Sequence, residues 1–415
     1  APICTFALPL VCLSSIQSST QSSIQSSFQF VPPIRHIVYE CLPGAYAGGV
    51  QKMVFELASA QRRLGADVEI WTVNATRAGS TEHFEGLPIR YFYPDRAFGL
   101  AKSKRMEQAF ADLPRDSVLH SHCTYHPLNL QVGRAARRHG HRAFYHPHGA
   151  LSPLWLKGWN FQAFKKRAYI ALFEKRNLSH ASGVFALTEA EREDLFSLGI
   201  GAPLSVLSNG IVPVAQASPN AGQEFRRRFG IPPNAPSILF IGRIVPLKKL
   251  EDIIGVLAEL RDTHPDLHLI IAGEVRPRAA YASWLKERAL AMGVAERVRW
   301  TGFLDEKEKP AAYAAAQAFI HASDSEGMSI SILEAMSAAL PVVVTRGCHM
   351  SAAAEAGALL ECAQGAGPLA QAVARCLAAA PGIVDRALEY VKRCHSWDSL
   401  ARQAIARYEE AKRIV

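Results

Sequence analysis

The sequence lacks any uninterrupted apolar run approaching the ~18 to 20 residues of a membrane-spanning helix, which excludes an enzyme built on transmembrane helices. It also lacks a C-x-x-C pair. Its cysteines, Cys4, Cys12, Cys41, Cys123, Cys348, Cys362, Cys376 and Cys394, follow no recurring spacing. That argues against a disulfide framework or a zinc ribbon and favours reduced, cytosolic thiols. Neither G-x-G-x-x-G nor G-x-x-x-x-G-K-[ST] occurs, so a dinucleotide fingerprint and a P-loop are both missing, and H-E-x-x-H is absent as well.

What is there is an ordinary globular composition: 415 residues, 49% hydrophobic, 20% charged and 9% aromatic, enough chain for two large cores. The formal charge of +9 is uneven, because residues 34–205 carry 22 Lys and Arg against 15 Asp and Glu, whereas 206–415 carry 24 against 22. A basic first half attracts nucleic acid, anionic lipid or phosphorylated small molecules, and the sign does not choose among them.

Residues 14–29 repeat Ser and Gln without charge and are expected to be disordered. Residues 6–13 have the apolar core of a secretory leader, yet no basic residue precedes them and no clear cleavage site follows, so 1–33 reads as a tail, with a leader or a misassigned start as the alternative. From Arg35 onward, short β-branched or aromatic runs alternate with amphipathic stretches of helical length, the pattern of βαβ units on a parallel sheet. The Pro-, Ala- and Ser-rich stretch 211–222 interrupts this series and a second series follows it. The expected architecture is α/β: two doubly wound, Rossmann-like domains at 34–210 and 223–385, with C-terminal helices at 386–415 free to pack on either domain. In such sheets ligands lie at the carboxyl ends of the strands, so a cleft between two facing sheets is where chemistry is sought.

Residues 323–345 (SDSEGMSISILEAMSAALPVVVT) run from a strand end through a Gly-containing turn into a helix and a buried strand. On one helix Glu326 and Glu334 would lie ~12 Å apart along the axis, too far for the ~5 to 9.5 Å carboxylate pair of a glycoside hydrolase. They are better suited to gripping two ends of one extended ligand. Between them the backbone N–H groups of Gly327, Met328 and Ser329 and the helix dipole favour an anion such as a diphosphate. The plain alternative is one solvated and one capping glutamate. In GRIVPLKKL, Arg243 ends a strand and Lys248 precedes a helix, a fork and a point charge suited to phosphate oxygens.

Gly48 and Gly49 precede the first helix and permit close backbone approach to a ligand, or simply make a tight turn. Asn209 and Gly210 form a turn that can deliver contacts into the cleft. His120, His122 and His126 follow one strand, and His146 and His148 the next. A metal is natural for H-S-H, but no acidic ligand stands beside these histidines, and neutral imidazoles that bond a hydroxyl-rich substrate fit better.

Taken together, AGGV, the HPHG of 146–149, SNGI, GR followed by K, IAG, RVRWTGFL and E-x7-E resemble the retaining GT-B glycosyltransferases of family 4. The resemblance covers about 34–410. It implies that Arg243 and Lys248 bind the donor diphosphate, Glu334 the ribose, and Glu326 with Gly327, Met328 and Ser329 the transferred sugar. It further implies that Gly302, Phe303 and Leu304 meet the base largely through main chain, that Gly48, Gly49 and Asn209 approach the donor, and that His148 lies near donor sugar and acceptor, with His122 and His146 binding the acceptor. The implied reaction is front-face hexosyl transfer with retention from a UDP- or GDP-sugar, without cofactor or metal. Lys249, Ser329, Ala339 and Val275 stand where the family often has glycine.

The segment 155–176 interleaves Trp and Phe with Lys and Arg, a composition suited either to an anionic lipid surface or to a helix docking its aromatic face on the first sheet. It motivates a saccharide acceptor linked to polyprenyl diphosphate, in polysaccharide or glycolipid synthesis at the inner membrane face. Competing readings are an epimerase of similar architecture, a transferase using Asp324 and Glu326 as metal ligands, and a non-catalytic membrane or nucleic-acid module. Against nucleic acid, the charge excess is modest and no recognised motif occurs.

Overall fold

Strand β1 (Ile34–Val38) is buried along its whole length and carries parallel neighbours on both sides, as apolar runs in doubly covered sheets do. In the computed structural model, which describes residues 31–41, 49–97, 100–153, 161–274, 279–378 and 382–411, it is the central strand of the first of two large sheets. Its partners are β2 (Val68–Val73), β3 (Thr81–Phe84), β4 (Leu87–Phe92), β7 (Val118–Ser121), β8 (Arg142–Tyr145), β9 (Gly183–Ala186) and β10 (Leu204–Val206). The order is β10-β9-β8-β7-β1-β2-β4-β3, parallel except for the edge strand β3. β5 (Asp95–Ala97) and β6 (Leu100–Lys102) make a separate antiparallel pair.

The second sheet comprises β11 (Ser237–Ile241), β12 (His268–Ala272), β13 (Val298–Gly302), β14 (Ala318–His321), β15 (Val342–Thr345) and β16 (Leu360–Cys362). Its order is β13-β12-β11-β14-β15-β16, all parallel. Strand alternation divides its core into two layers: Leu239 and Ile241 pack on one face, Ile238 and Phe240 on the other. The first domain has its own core, built around Trp71, Phe110, Leu119 and Tyr145.

The last helix, Trp397–Glu410, lies on the first domain. Tyr408 is fully buried beside Phe144 and Phe185, and the Arg142 guanidinium donates to its carbonyl (3.0 Å). The chain is pinned where it crosses, because Ile211 N–H donates to the His395 carbonyl (2.8 Å) and a side chain at Gly210 would overlap the Trp397 ring.

Two of the positions where the family often has glycine adopt a left-handed backbone here, Lys249 with φ 45° and Ala339 with φ 60°. Ala339 follows the helix Ile330–Ser337 in a Schellman turn, in which Leu340 N–H donates to the Ala335 carbonyl and Ala339 N–H to that of Met336. Its methyl is exposed, so nothing packs against it. Ala339→Gly is therefore expected to raise stability by roughly 0.5–1 kcal/mol, measured as an upward shift of the urea midpoint at unchanged slope. A lower midpoint would refute the strain argument. Ser329, by contrast, is extended (φ −79°), where serine costs nothing. Val275 lies outside the described residues, as do 1–30, Gly48 and 154–160.

Of the two alternatives for 155–176, docking of the aromatic face on the sheet does not describe the residues seen. Phe161, Phe164, Leu172 and Phe173 are exposed, while Ala163 and Ile170 face the core. Over Ile170–Glu174 the helix widens to a π-turn, which carries the Glu174 carboxylate inward. Glu174 accepts there from Tyr125 N–H (3.0 Å) and Asn129 Nδ2 (2.8 Å).

Candidate active site

The carboxyl ends of both sheets open onto one cavity of about 400 Å³, lined from the first domain by Tyr125, His148 and Gly149 and from the second by Arg243, Glu326 and Gly327. Its narrowest point is backbone against backbone: a Cβ on Gly149 would lie 3.2 Å from the Gly327 Cα. Gly149 also has φ 75°, so both the conformation and the space at this crossing require glycine.

On the second domain Lys248 is 5% exposed, and its ammonium contacts Glu326 Oε2 and the ring of His321 (3.1 Å to Nε2). Burial brings the Lys248 ammonium down to about 8 and holds His321 well below its ordinary value, so His321 is a neutral neighbour. Arg243 is exposed at the cavity wall and its guanidinium makes no hydrogen bond or ion pair among the described residues. Asp324, the other carboxylate of the D-S-E triplet, pairs with Lys249 (3.0 Å), so a lysine already faces each carboxylate of that motif.

Glu326 stands on the turn before the helix Ile330–Ser337, and Glu334 lies within it. The backbone N–H groups of Gly327, Met328 and Ser329 have no hydrogen-bond acceptor among the described residues, which leaves an electropositive helix start toward the cleft. Glu334 is 4% exposed and accepts from Tyr313 Oη (2.9 Å) and Lys309 Nζ (3.1 Å), with Lys52 of the first domain 3.6 Å away. Gly49 comes close to the same helix: a Cβ there would sit 3.7 Å from Ile330 Cδ1. Asn209 donates through Nδ2 to the Met328 carbonyl (3.2 Å), which ties the end of the first domain to the turn. At the end of β13, Gly302 accepts from Gly273 N–H (2.8 Å), Phe303 is exposed, and Leu304 points into the core, so only its main chain is available to a ligand.

The histidines require a correction. Adjacent parallel strands β7 and β8 bring His122 and His146 together, but both are buried behind His148, 7% and 1% exposed, and the cavity is lined by His148 alone of the three. Direct contact of His122 or His146 with an acceptor is therefore not available; they support His148 from behind. His146 stacks on His148 with centroids 4.0 Å apart, and His122 Nδ1 lies 2.9 Å from His148 Nε2. Burial holds His148 down to about 3 and keeps the other two well below free histidine, so all are neutral. Two groups, His36/His120/His122 and His122/His146/His148, have ring nitrogens within 4.8 Å of one another, close enough to hold a metal. In the first group hydrogen bonds to Gln61, Tyr408, His148 and each other occupy five of the six nitrogens, whereas in the second both nitrogens of His146 are buried without a partner.

Several residues of the site have no signal in the sequence. Glu191 accepts from Gly149 N–H (2.6 Å) and Leu187 N–H (2.7 Å) and so holds the H-P-H-G turn, in which His148 has φ 55°. Burial raises its carboxyl, and these two donors oppose that rise. Tyr125, Lys52, Lys309, Tyr313 and His321 reach the site from distant segments that carry no motif.

Two α/β domains that face across a cleft, one ending in a cationic helix start and the other in neutral histidines, define a GT-B glycosyltransferase. Glycosyl transferases group 1 matches residues 222–378, and the Glycosyl transferase 4-like domain matches residues 48–210. The chain belongs to the group 1, family 4-type glycosyltransferases. The D-inositol 3-phosphate glycosyltransferase of Actinosynnema mirum is 27% identical over 396 residues, 88% of this chain and 93% of the relative. HepE of Anabaena, solved with UDP and glucose, superposes with a TM-score of 0.72 at 17% identity, covering 91% of this chain and all of the other. The sucrose-phosphate synthase of Thermosynechococcus elongatus gives 0.74 at 18% identity, over 92% of this chain and 100% of its own.

Proposed function

We propose that the protein transfers a hexosyl group, with retention and without a metal, from a UDP- or GDP-linked donor to a saccharide acceptor. The observation that carries this reading is the set of unpaired N–H groups at Gly327, Met328 and Ser329 beside Lys248 and opposite Arg243. A leaving diphosphate placed there meets two cations and a helix dipole, fixed charges that stabilise a developing anion. Glu334 takes the ribose hydroxyls in exchange for its lysine partners, and Gly302, Phe303 and Leu304 meet the base. Glu326 and the turn after it hold the sugar. Its acceptor hydroxyl approaches from the same face, past His148.

The acceptor is proposed to be lipid-linked through polyprenyl diphosphate. Exposed Phe161, Phe164, Leu172 and Phe173, interleaved with Lys165, Lys175 and Arg176, give a face suited to the anionic surface where such a substrate resides. No helix among the described residues is long and apolar enough to cross a membrane. A peripheral contact fits that.

The test is a thermal-shift series with UDP, GDP, ADP and dTDP, each in EDTA and again with magnesium. UDP or GDP at ~100 times its dissociation constant is expected to add about 2.7 kcal/mol in EDTA. A shift that appears only with magnesium would overturn the metal-free clamp, and no shift under any condition would overturn the donor site itself.

A further inference from the structure

Behind His148 an unbroken hydrogen-bonded chain runs through the first domain to the C-terminal helix. Tyr408 Oη lies 3.3 Å from Gln61 Nε2, Gln61 Oε1 lies 2.8 Å from His36 Nε2, His36 Nδ1 lies 3.0 Å from His122 Nε2, and His122 Nδ1 lies 2.9 Å from His148 Nε2. Apart from His148 at the cleft, every member is buried. The three imidazoles are neutral at pH 7, because burial holds His36 down to about 4, His148 to about 3 and His122 well below its ordinary value.

A neutral imidazole carries one N–H and one lone pair, so the direction of a single bond fixes all the others. The Gln61 oxygen can only accept, which makes His36 the donor through Nε2 and leaves its Nδ1 as an acceptor. His122 must then donate through Nε2 and accept at Nδ1, and His148 must donate through Nε2. The Gln61 amide nitrogen points the other way, toward Tyr408, whose hydroxyl accepts there and donates to His120 Nδ1 (2.7 Å). Each bond in the series is satisfied once.

We infer that Gln61 fixes, through His36 and His122, the tautomer of His148, so that His148 presents an unprotonated Nδ1 to the cleft and accepts a hydrogen bond from a sugar hydroxyl. The inference rests on the cleft being the site of sugar transfer. His148 Nδ1 has no hydrogen-bond partner among the described residues, so it is the ring atom left for a ligand. A lone pair there orients a hydroxyl and repels a phosphate oxygen, which keeps the diphosphate on the Arg243 and Lys248 side. Gln61 touches no substrate; it is a positioning residue acting through two histidines. A reversed Gln61 amide would reverse every proton in the series and turn His148 Nδ1 into a donor.

The tautomer is read directly from two-bond 1H–15N correlation spectra of the full chain labelled at histidine, at pH 7, with His148 assigned by its loss in His148→Asn. The expected result is the Nε2–H tautomer for His148. In Gln61→Met, close in size but without the amide, His148 is expected to show both tautomers. Its kcat should fall about three- to tenfold, with KM for the nucleotide donor unchanged within about twofold. Gln61→Glu, whose carboxylate also accepts from His36, is expected to restore the Nε2–H pattern. An Nδ1–H tautomer in the unaltered protein, or an unchanged His148 tautomer in Gln61→Met, would overturn the inference. The spectra need no substrate, so failure of the sugar-transfer reading leaves the tautomer result standing, and the reverse also holds.

Discussion

Replacing Lys248 by alanine is expected to lower turnover by about 100-fold or more while the protein stays folded. Lys248 is the cation beside the helix start at Gly327–Ser329, and Arg243 on the cavity wall of the same domain is a second countercharge for a leaving diphosphate. Its ammonium is held by Glu326 and His321, so the group is already in place and needs no reorganisation when negative charge develops. Folding is expected to tolerate the loss, because the partner left behind, Glu326, stands on a turn at the cavity wall rather than in the core of the sheet. Arg243→Ala is expected to behave alike. The pH dependence separates binding from folding. With the Lys248 ammonium at about 8, donor affinity weakens as pH rises through that value. Over the same range this group's contribution to stability improves, because the unfolded lysine binds its proton up to ~10.4. Steady-state kinetics of both variants, with circular dichroism as the control for folding, make the comparison. Near-normal turnover in both would sink the diphosphate assignment.

The second large effect is on stability in mild acid. His36, His120, His122, His146 and His148 pack together in the first domain, and burial depresses all of them below free histidine. Their stabilising contribution is present above the unfolded value of ~6.5 and is lost as pH falls toward the folded values, because the unfolded chain takes up protons that the folded one refuses. At pH 5 His36, held at about 4, and His148, held at about 3, each oppose folding by roughly 2 kcal/mol, and His120, His122 and His146 act in the same direction. Set against the stability of a typical domain, ~5–15 kcal/mol, that loss is large. Glu174, raised to about 7 by burial, acts in the opposite direction and offsets part of this as pH falls from 7. The urea midpoint is accordingly expected to collapse between pH 7.5 and 5. A midpoint that holds steady over that interval would show that the cluster is already protonated or hydrated in the folded protein.

The strands, and the cations and carboxylates at the edge of the second sheet, were legible because their signals are local. Apolar runs such as SILFI and HLIIA form single strands, GR…K lies within one strand-to-helix turn, and E-x7-E runs from such a turn into the helix that follows it. The short antiparallel pieces β3, β5 and β6 were not anticipated, since three- and four-residue edge strands lack a run long enough to show alternation. The acceptor side was misread for a different reason. H-S-H and H-P-H look alike in sequence, but strand alternation and the left-handed backbone at His148 turn one ring into the cleft and three into the core.

By itself the sequence determined the fold class, the order of its units and the identity of the cations and carboxylates at the second sheet's edge, because backbone period and strand-end position depend on neighbouring residues. Only the tertiary structure decided which groups those residues face. Lys52 meets Glu334 from the other domain, Glu191 holds the His148 turn, and Gln61 and Tyr408 close a series of hydrogen bonds with His36, His120 and His122. These partners come from segments up to 347 residues apart. No local pattern encodes them, because burial and strand adjacency set both the charge of each imidazole and the atom it turns toward the cleft.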